Sequence, residues 1–288
     1  KIIYYILILP LILCISGCLD ENPRDQLDQD AIYDNVSNIY NNAVASLYNY
    51  FGGHQNSEGL QGTCRGLYDY NTLTSDEAMI PTRGGDWYDG GLWKNLYQHK
   101  WSANDIYLYD IWKYLYKVIM LSNKSLADIE SHKGALSYDQ YKCFTAEVRA
   151  IRALYYWYAM DMFGNIPLVT SYNVKLEQVV QNKRSEVFQF IVDELQQAAP
   201  LLADARSNKA GDYYGRITRP VVHFLLAKLA LNAEIYSDDN WTDGKQMDGR
   251  TIFFDVNGVK KNAWETCIWY CDQLNSVGYT LESDYATN

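Results

Sequence analysis

Between positions 31 and 277, apolar residues return at intervals of three and four. That spacing confines most of the chain to helices with one buried stripe each. It runs through Ile32, Val36, Ile39, Ala43, Leu47 and Tyr50, then through Ile111, Leu115, Val118, Ile119, Leu126 and Ile129 in a helix over 106–129. Ser137 and Gln140 form a capping-box pattern that opens the next helix. Val148, Ile151, Leu154, Tyr155, Tyr158 and Met162 face inward along it, and Gly164 and Pro167 stop it near Phe163. Further helices are expected over 186–202, interrupted at Pro200, and over 220–236, with Thr218 as N-cap, Pro220 in the first turn and a stripe of Val222, Leu225, Leu226, Leu229 and Ala233. The last spans 264–277. Strand-like runs are few, at 166–170 and 251–254, so the class is all-α. The four helices from about 141 to 277 fall into two consecutive pairs. Ala150 and Ala153 in one, and Ala227 and Ala230 in the other, let helices approach closely, as in degenerate tetratricopeptide pairs. Residues 52 to 102 break the pattern: they are rich in Gly, Asp and aromatics, and a loop of that length is usually functional or hides short elements.

The N-terminus has a different logic. Lys1 precedes an apolar core from Ile2 to Leu13, too short to span a bilayer comfortably and therefore a secretory signal rather than a membrane helix. Ile15-Ser16-Gly17-Cys18 resembles a bacterial lipobox, in which the cysteine becomes the lipidated first residue of the mature protein. Residues 1–17 are accordingly expected to be a signal peptide and 18–30 a lipidated tether, with a helical domain over 31–288. Nothing later in the sequence is apolar enough to cross a membrane, so anchoring would be through lipid. Asp20 and Glu21 resemble the acidic signal that sends lipoproteins of the Bacteroidetes type to the cell surface.

The formal net charge is −10 and no basic run occurs. This argues against nucleic acid and against electrostatic adhesion to anionic lipid. Tyrosine is abundant, with 26 residues beside 8 Trp and 8 Phe. An amphipathic ring packs on one side and hydrogen-bonds on the other, which suits helix interfaces and also surfaces that grip polar, flat-faced ligands. Cys267 and Cys271 are four apart on a helix, a spacing able to hold metal. No His or second Cys pair lies near them in sequence, so small buried thiols are expected, with neither a metal nor a cofactor.

The stretch 147–169 reads EVRAIRALYYWYAMDMFGNIPLV. Physically it is a packed helix, a Gly stop and a Pro-led extended exit, and its residues are scaffold. It resembles the signature of SusD/RagB-family outer-membrane lipoproteins. Other segments agree in order: Leu-Asp-Glu-Asn-Pro after the lipobox, a first helix over 33–48, Thr74-Ser-Asp-Glu77, a Trp–Tyr–Ile–Asn helix over 112–123, an Ala/Leu-rich helix over 219–236, and 264–281. Family members are generally much longer, so the resemblance implies an N-terminal portion with the C-terminal half missing. It also implies glycan or nutrient capture at the cell surface. The protein would be lipid-anchored at the outer membrane, and its partner would be a TonB-dependent (SusC-like) outer-membrane transporter.

Ligand candidates lie between 83 and 101: Arg83, Asp86, Trp87, Tyr88, Asp89, Trp93, Tyr97 and Trp101. Sugar recognition needs flat aromatic faces plus planar polar groups for paired hydroxyls. Trp93 and Trp101 also fit a plainer role, as core plugs under a long loop. Two other classes stay open. An α-helical glycoside hydrolase would need two carboxylates across a cleft, for which Asp76 with Glu77 or Asp86 with Asp89 are the nominees, although solvated acids are common in an acidic protein. A tetratricopeptide-type scaffold that binds only protein would share the fold and show no sugar affinity. No nucleophile elbow, phosphate loop, HExxH or dinucleotide fingerprint occurs.

Overall fold

A computed structural model describes residues 32–52, 58–61, 65–284 and 286. Cys18, the signal segment 1–17 and the tether 18–30 lie outside the described residues. The first helix, α1, runs over 36–52 and contains a wide π-helical turn at Tyr40–Ala45. Two short helices, α2 (Leu67–Leu73) and α3 (Leu92–Tyr97), interrupt the region expected to be irregular. Two long helices follow, α4 (Ile106–Ser131) and α5 (Tyr138–Phe163). Ser137 and Gln140 close the capping box on α5, and Gly164, with φ +70°, ends it in a backbone state open to glycine.

Strand β1 (Ile166–Pro167) pairs antiparallel with β2 (Gln181–Asn182), and α6 (Arg184–Ala198) returns along α5. Next come α7 (Arg219–Leu231) and the single-turn α8 (Ala233–Tyr236). The backbone of Thr218 is the N-cap of α7, but its side chain makes no cap hydrogen bond. The hairpin β3 (Phe253–Val256) and β4 (Val259–Asn262) leads into α9 (Ala263–Ser276). Its turn is Asn257-Gly258, both at positive φ, as a two-residue turn matched to strand twist requires.

The helices stack in sequence: α4 on α5, α5 on α6, α6 on α7, and α7 on α9, with α1 across α4 and α5. The small residues Ala150, Ala153, Ala227 and Ala230 are buried where these helices meet. Much of the tyrosine sits in the same seams. Tyr155 and Tyr156 are fully buried on α5. Tyr156 donates to Val169 O and accepts from Val169 N, both at 2.7 Å, and so fixes the chain leaving β1. Burial pushes its phenol up to about 12. Tyr114 donates to Tyr50 O (2.5 Å) and lies 2.9 Å from the Tyr155 hydroxyl, joining α4, α1 and α5.

Two buried ionic knots complete the scaffold. Glu194 of α6 accepts from Arg149 (2.6 Å) and Arg152 (2.5 Å) of α5, and Arg152 also reaches Asn123 of α4 (2.7 Å). Glu147, 1% exposed, accepts from Tyr48 (2.5 Å) and Tyr40 (3.3 Å) of α1 and from Arg216 (2.7 Å) ahead of α7. Most of the 147–169 motif is therefore packed between helices, as its residue pattern suggests.

Candidate functional site

Residues 83–101 fold as a tight turn, a short helix and an exposed aromatic run. Arg83 and Asp86 exchange backbone hydrogen bonds (3.1 and 3.0 Å) across Gly84-Gly85, a turn that needs the positive φ of Gly84. The chain then takes φ +60° at Trp87, +40° at Asp89, +66° at Gly90 and +90° at Gly91. A bulky non-glycine residue in that region is strained by about 1–3 kcal/mol and persists only where its surroundings impose it.

The imposing contacts are specific. Trp93, on α3, is only 4% exposed. Its indole nitrogen donates to Asp89 Oδ2 at 2.6 Å, and Asp89 Oδ1 lies 3.0 Å from the Arg65 guanidinium. Arg65 in turn stands over the rings of Trp93 (5.8 Å) and Tyr107 (5.6 Å). Trp87 meets Trp93 edge-on at 6.3 Å, so the buried indole backs the outer one. Asp89 thus closes a brace between α3 and the segment ahead of α2.

Of the eight residues nominated from sequence, this brings Trp87, Asp89 and Trp93 into one cluster and sets Arg83 opposite Asp86. Trp87 (57% exposed), Tyr88 (59%), Tyr97 (51%) and Trp101 (43%) present their rings to solvent. Trp93 does not: it has the core-plug role, and its part in any site is to support Trp87. Trp101 instead leans on His99 at 5.5 Å, whose Nε2–H donates to Thr74 O at 2.9 Å. That is a second braced aromatic, separate from the Trp87 cluster in its contacts. Sequence reasoning passed over Arg65. Its signal was a lone cation in the run Arg65-Gly66-Leu67-Tyr68-Asp69, but nothing local says that the cation reaches 24 residues onward to Asp89.

The acid pairs nominated for catalysis do not form a facing pair. Asp76 and Glu77 are adjacent and exposed in a bend, and Asp89 is held by Trp93 and Arg65 while Asp86 is solvent-facing. Among the described residues no cluster of three or more His, Cys, Asp or Glu is placed to hold a metal ion, and no helix is long and apolar enough to cross a membrane. The expectation of small buried thiols needs correction on α9. Cys267 is part-buried, and burial pushes its thiol up, but Cys271 is exposed because it falls on the outer face of the terminal helix.

A family model described as starch-binding, associating with the outer membrane, matches residues 19–231. The chain belongs to this SusD-like family. It is 26% identical over 188 residues to the starch-binding protein SusD of Bacteroides thetaiotaomicron, covering 62% of this chain and 30% of that protein. It is 25% identical over 241 residues to a SusD-like protein of Bacteroides ovatus, covering 82% and 38%. Among solved structures, a SusD homologue from Bacteroides thetaiotaomicron superposes with TM-score 0.63 at 19% identity, over 88% of this chain and 43% of the other. A laminarin-binding SusD-like protein gives 0.57 at 24%, over 73% and 44%. The aligned regions amount to 30–44% of the length of the relatives matched by sequence. The all-α stack of helix pairs is the fold these proteins share.

Proposed function

We propose that the protein captures a glycan at the cell surface and hands it to a TonB-dependent, SusC-like transporter, without catalysis. The observation that carries this reading is the braced, strained loop. A large aromatic held outward on a positive-φ backbone, supported from behind by Trp93 and Asp89, is a preorganised stacking face. Names of relatives that refer to starch and laminarin support the ligand class. On this reading Trp87 and Tyr88 stack on pyranose faces, Tyr97 and Trp101 extend the surface, and Arg83 and Asp86 meet hydroxyls. Each exposed ring contributes about 0.5–1.5 kcal/mol beyond area burial, a factor of about three to ten in affinity. Calorimetry across a glycan panel is the test: Trp87→Ala with Tyr88→Ala should weaken binding with the thermal midpoint preserved. Unchanged affinity would remove the site from this loop, and release of reducing ends by pure protein would replace the binder with an enzyme.

The anchoring half of the proposal rests on Cys18. Cys18→Ala should abolish palmitate labelling and release the protein from membranes; labelling that persists would refute it. Transporter association should show as co-purification from outer membranes, and its absence under conditions that retain glycan binding would leave capture without delivery. A second reading, a scaffold that binds only protein, draws on the exposed apolar residues Phe224, Leu231 and Ile235 along α7 and α8. It predicts no affinity for any glycan in the same panel.

A further inference from the structure

The terminal helices enclose a cleft that shares no residue with the 83–101 loop. It has a volume of about 500 Å³ and lies between the end of α6, the first turns of α7, the β3–β4 turn and α9. That size falls within the roughly 300–1,000 Å³ usual for small-molecule sites. Its aromatic wall is Trp269, part-buried, set edge-on to Tyr270 at 4.9 Å and 6.1 Å from the ring of His223.

Part of the neutral polar lining is committed, since Gln196 donates to Asp255 O (2.7 Å), Gln197 accepts from Arg149 (2.9 Å) and Ser276 donates to Gln273 O (2.7 Å), but part of it is unspent. The Trp269 indole nitrogen, the His223 ring and the side-chain amides of Asn257 and Gln273 have no hydrogen-bond partner among the described residues. The charged lining, by contrast, is committed. Arg219 donates to Ala199 O (3.1 Å), Pro200 O (3.3 Å) and Leu202 O (3.2 Å), and stands 3.6 Å from Asp204. Asp255 accepts from Gly258 N at 2.7 Å. Among the described residues no free cation lines the cleft to hold an anion. What remains is a flat indole beside donors and acceptors fixed in planar amides, and that combination matches the face and the rim of a pyranose ring.

We propose that this cleft binds a neutral oligosaccharide segment, with one sugar face on Trp269 and its hydroxyls on Asn257 and Gln273. His223 fits the same chemistry. Burial and the nearby Arg219 hold its imidazole below the ordinary value, so at neutral pH it offers one donor and one acceptor instead of a charge. The inference does not depend on the 83–101 loop.

Protein labelled with 5-fluorotryptophan and titrated with maltohexaose, laminarihexaose, xylohexaose and mannohexaose tests it. The fluorine line of Trp269 is assigned by its absence in Trp269→Phe. At least one of these sugars should shift that line saturably. Asn257→Gly, which keeps the positive-φ turn, combined with Gln273→Ala should weaken that response about tenfold, about threefold for each amide lost. The response should persist unchanged in the Trp87→Ala, Tyr88→Ala loop variant, even if that variant's own binding at the loop is lost or was never present. The proposal fails if none of the four sugars moves the Trp269 line, or if the shift disappears with the loop substitutions and so reports the loop.

Discussion

The Glu147 knot and the Asp89 brace of the 83–101 loop are both built from aromatics, one carboxylate and one arginine, and they use them in opposite ways. Around Glu147 the tyrosines point inward, the carboxylate is closed off from water, and the partners of this α5 residue come from two other parts of the chain: Tyr40 and Tyr48 of α1, and Arg216 ahead of α7. Around Asp89 the same group types brace one ring so that another stays in solvent. In the first region polar atoms fix the register of the helices. In the second they hold an unfavourable backbone in place. Burial decides which: the same classes of side chain stabilise a fold when sealed and prepare a surface when open.

The sharpest way to break this comparison is Glu147→Ala. It strands Arg216 and two phenols, and should cost about 2–4 kcal/mol in urea unfolding, below the fully buried range because Arg216 keeps a quarter of its side chain in water. A loss under about 1 kcal/mol would make the knot an ordinary surface pair and end the contrast.

Acid sharpens it next. Burial pushes Glu194 up, but the guanidiniums of Arg149 and Arg152 outweigh burial and hold its carboxyl below the ordinary value. A lowered folded pKa means the unfolded chain binds more protons, so this contribution is full above the ordinary glutamate range and is lost as pH falls through the folded value. Stability of the wild type should therefore decline on acidification below about pH 4.5 more steeply than that of Glu194→Gln. Parallel slopes from urea midpoints across pH would show the scaffold charges to be as well solvated as the loop's.

Much of the scaffold was legible in the residues. The period of three and four placed every long helix, and Ser137 with Gln140, Gly164 and Pro167 marked both ends of α5. The strands were found at 166 and 253 but shorter or shifted, since tertiary pairing with 181–182 and 259–262 sets their limits. The helices α2 and α3 were hidden because seven and six residues are too few to show a period. At the site, Trp87 and Trp93 are the same residue type six positions apart. Only the fold shows that Trp93 is buried in the same core as Leu92 and Leu96 while Trp87 is not. Arg65 was invisible for the same reason: its partner is distant in sequence.

A smaller effect tests the strain itself. Trp87→Gly and Trp87→Ala should lose stacking equally, yet the glycine variant should be the more stable of the two by about 1 kcal/mol, because only alanine retains the penalty at φ +60°. Equal thermal midpoints would mean that the loop relaxes freely. The smallest effect expected is from Arg65→Met, which keeps bulk over Trp93 and removes the Asp89 ion pair. The pair keeps a fifth to a third of its side chains in water and Asp89 retains the Trp93 indole, so affinity should fall no more than about threefold and stability by about 1 kcal/mol or less. A larger drop would make Arg65 part of the ligand surface.

The wide turn at Tyr40–Ala45 has a consequence for inheritance. Its rings close over five residues instead of four, so α1 carries one more residue there than a regular helix would. A one-codon deletion within that turn would leave a more ordinary helix, and on propensity alone a better one. Because the widened turn takes up the extra residue, the two flanks would keep their relative facing: seven residues advance a regular helix to within about 20° of two full turns. Tyr40 and Tyr48 both reach Glu147, and after such a deletion they would stand seven apart, still on one face. Reading frames that lose a single amino acid within the turn should thus be tolerated, as should changes of residue identity at its solvent-facing position Asn41, whereas Asn42, whose amide holds the carbonyls of Ile32 and Asn38, should be kept.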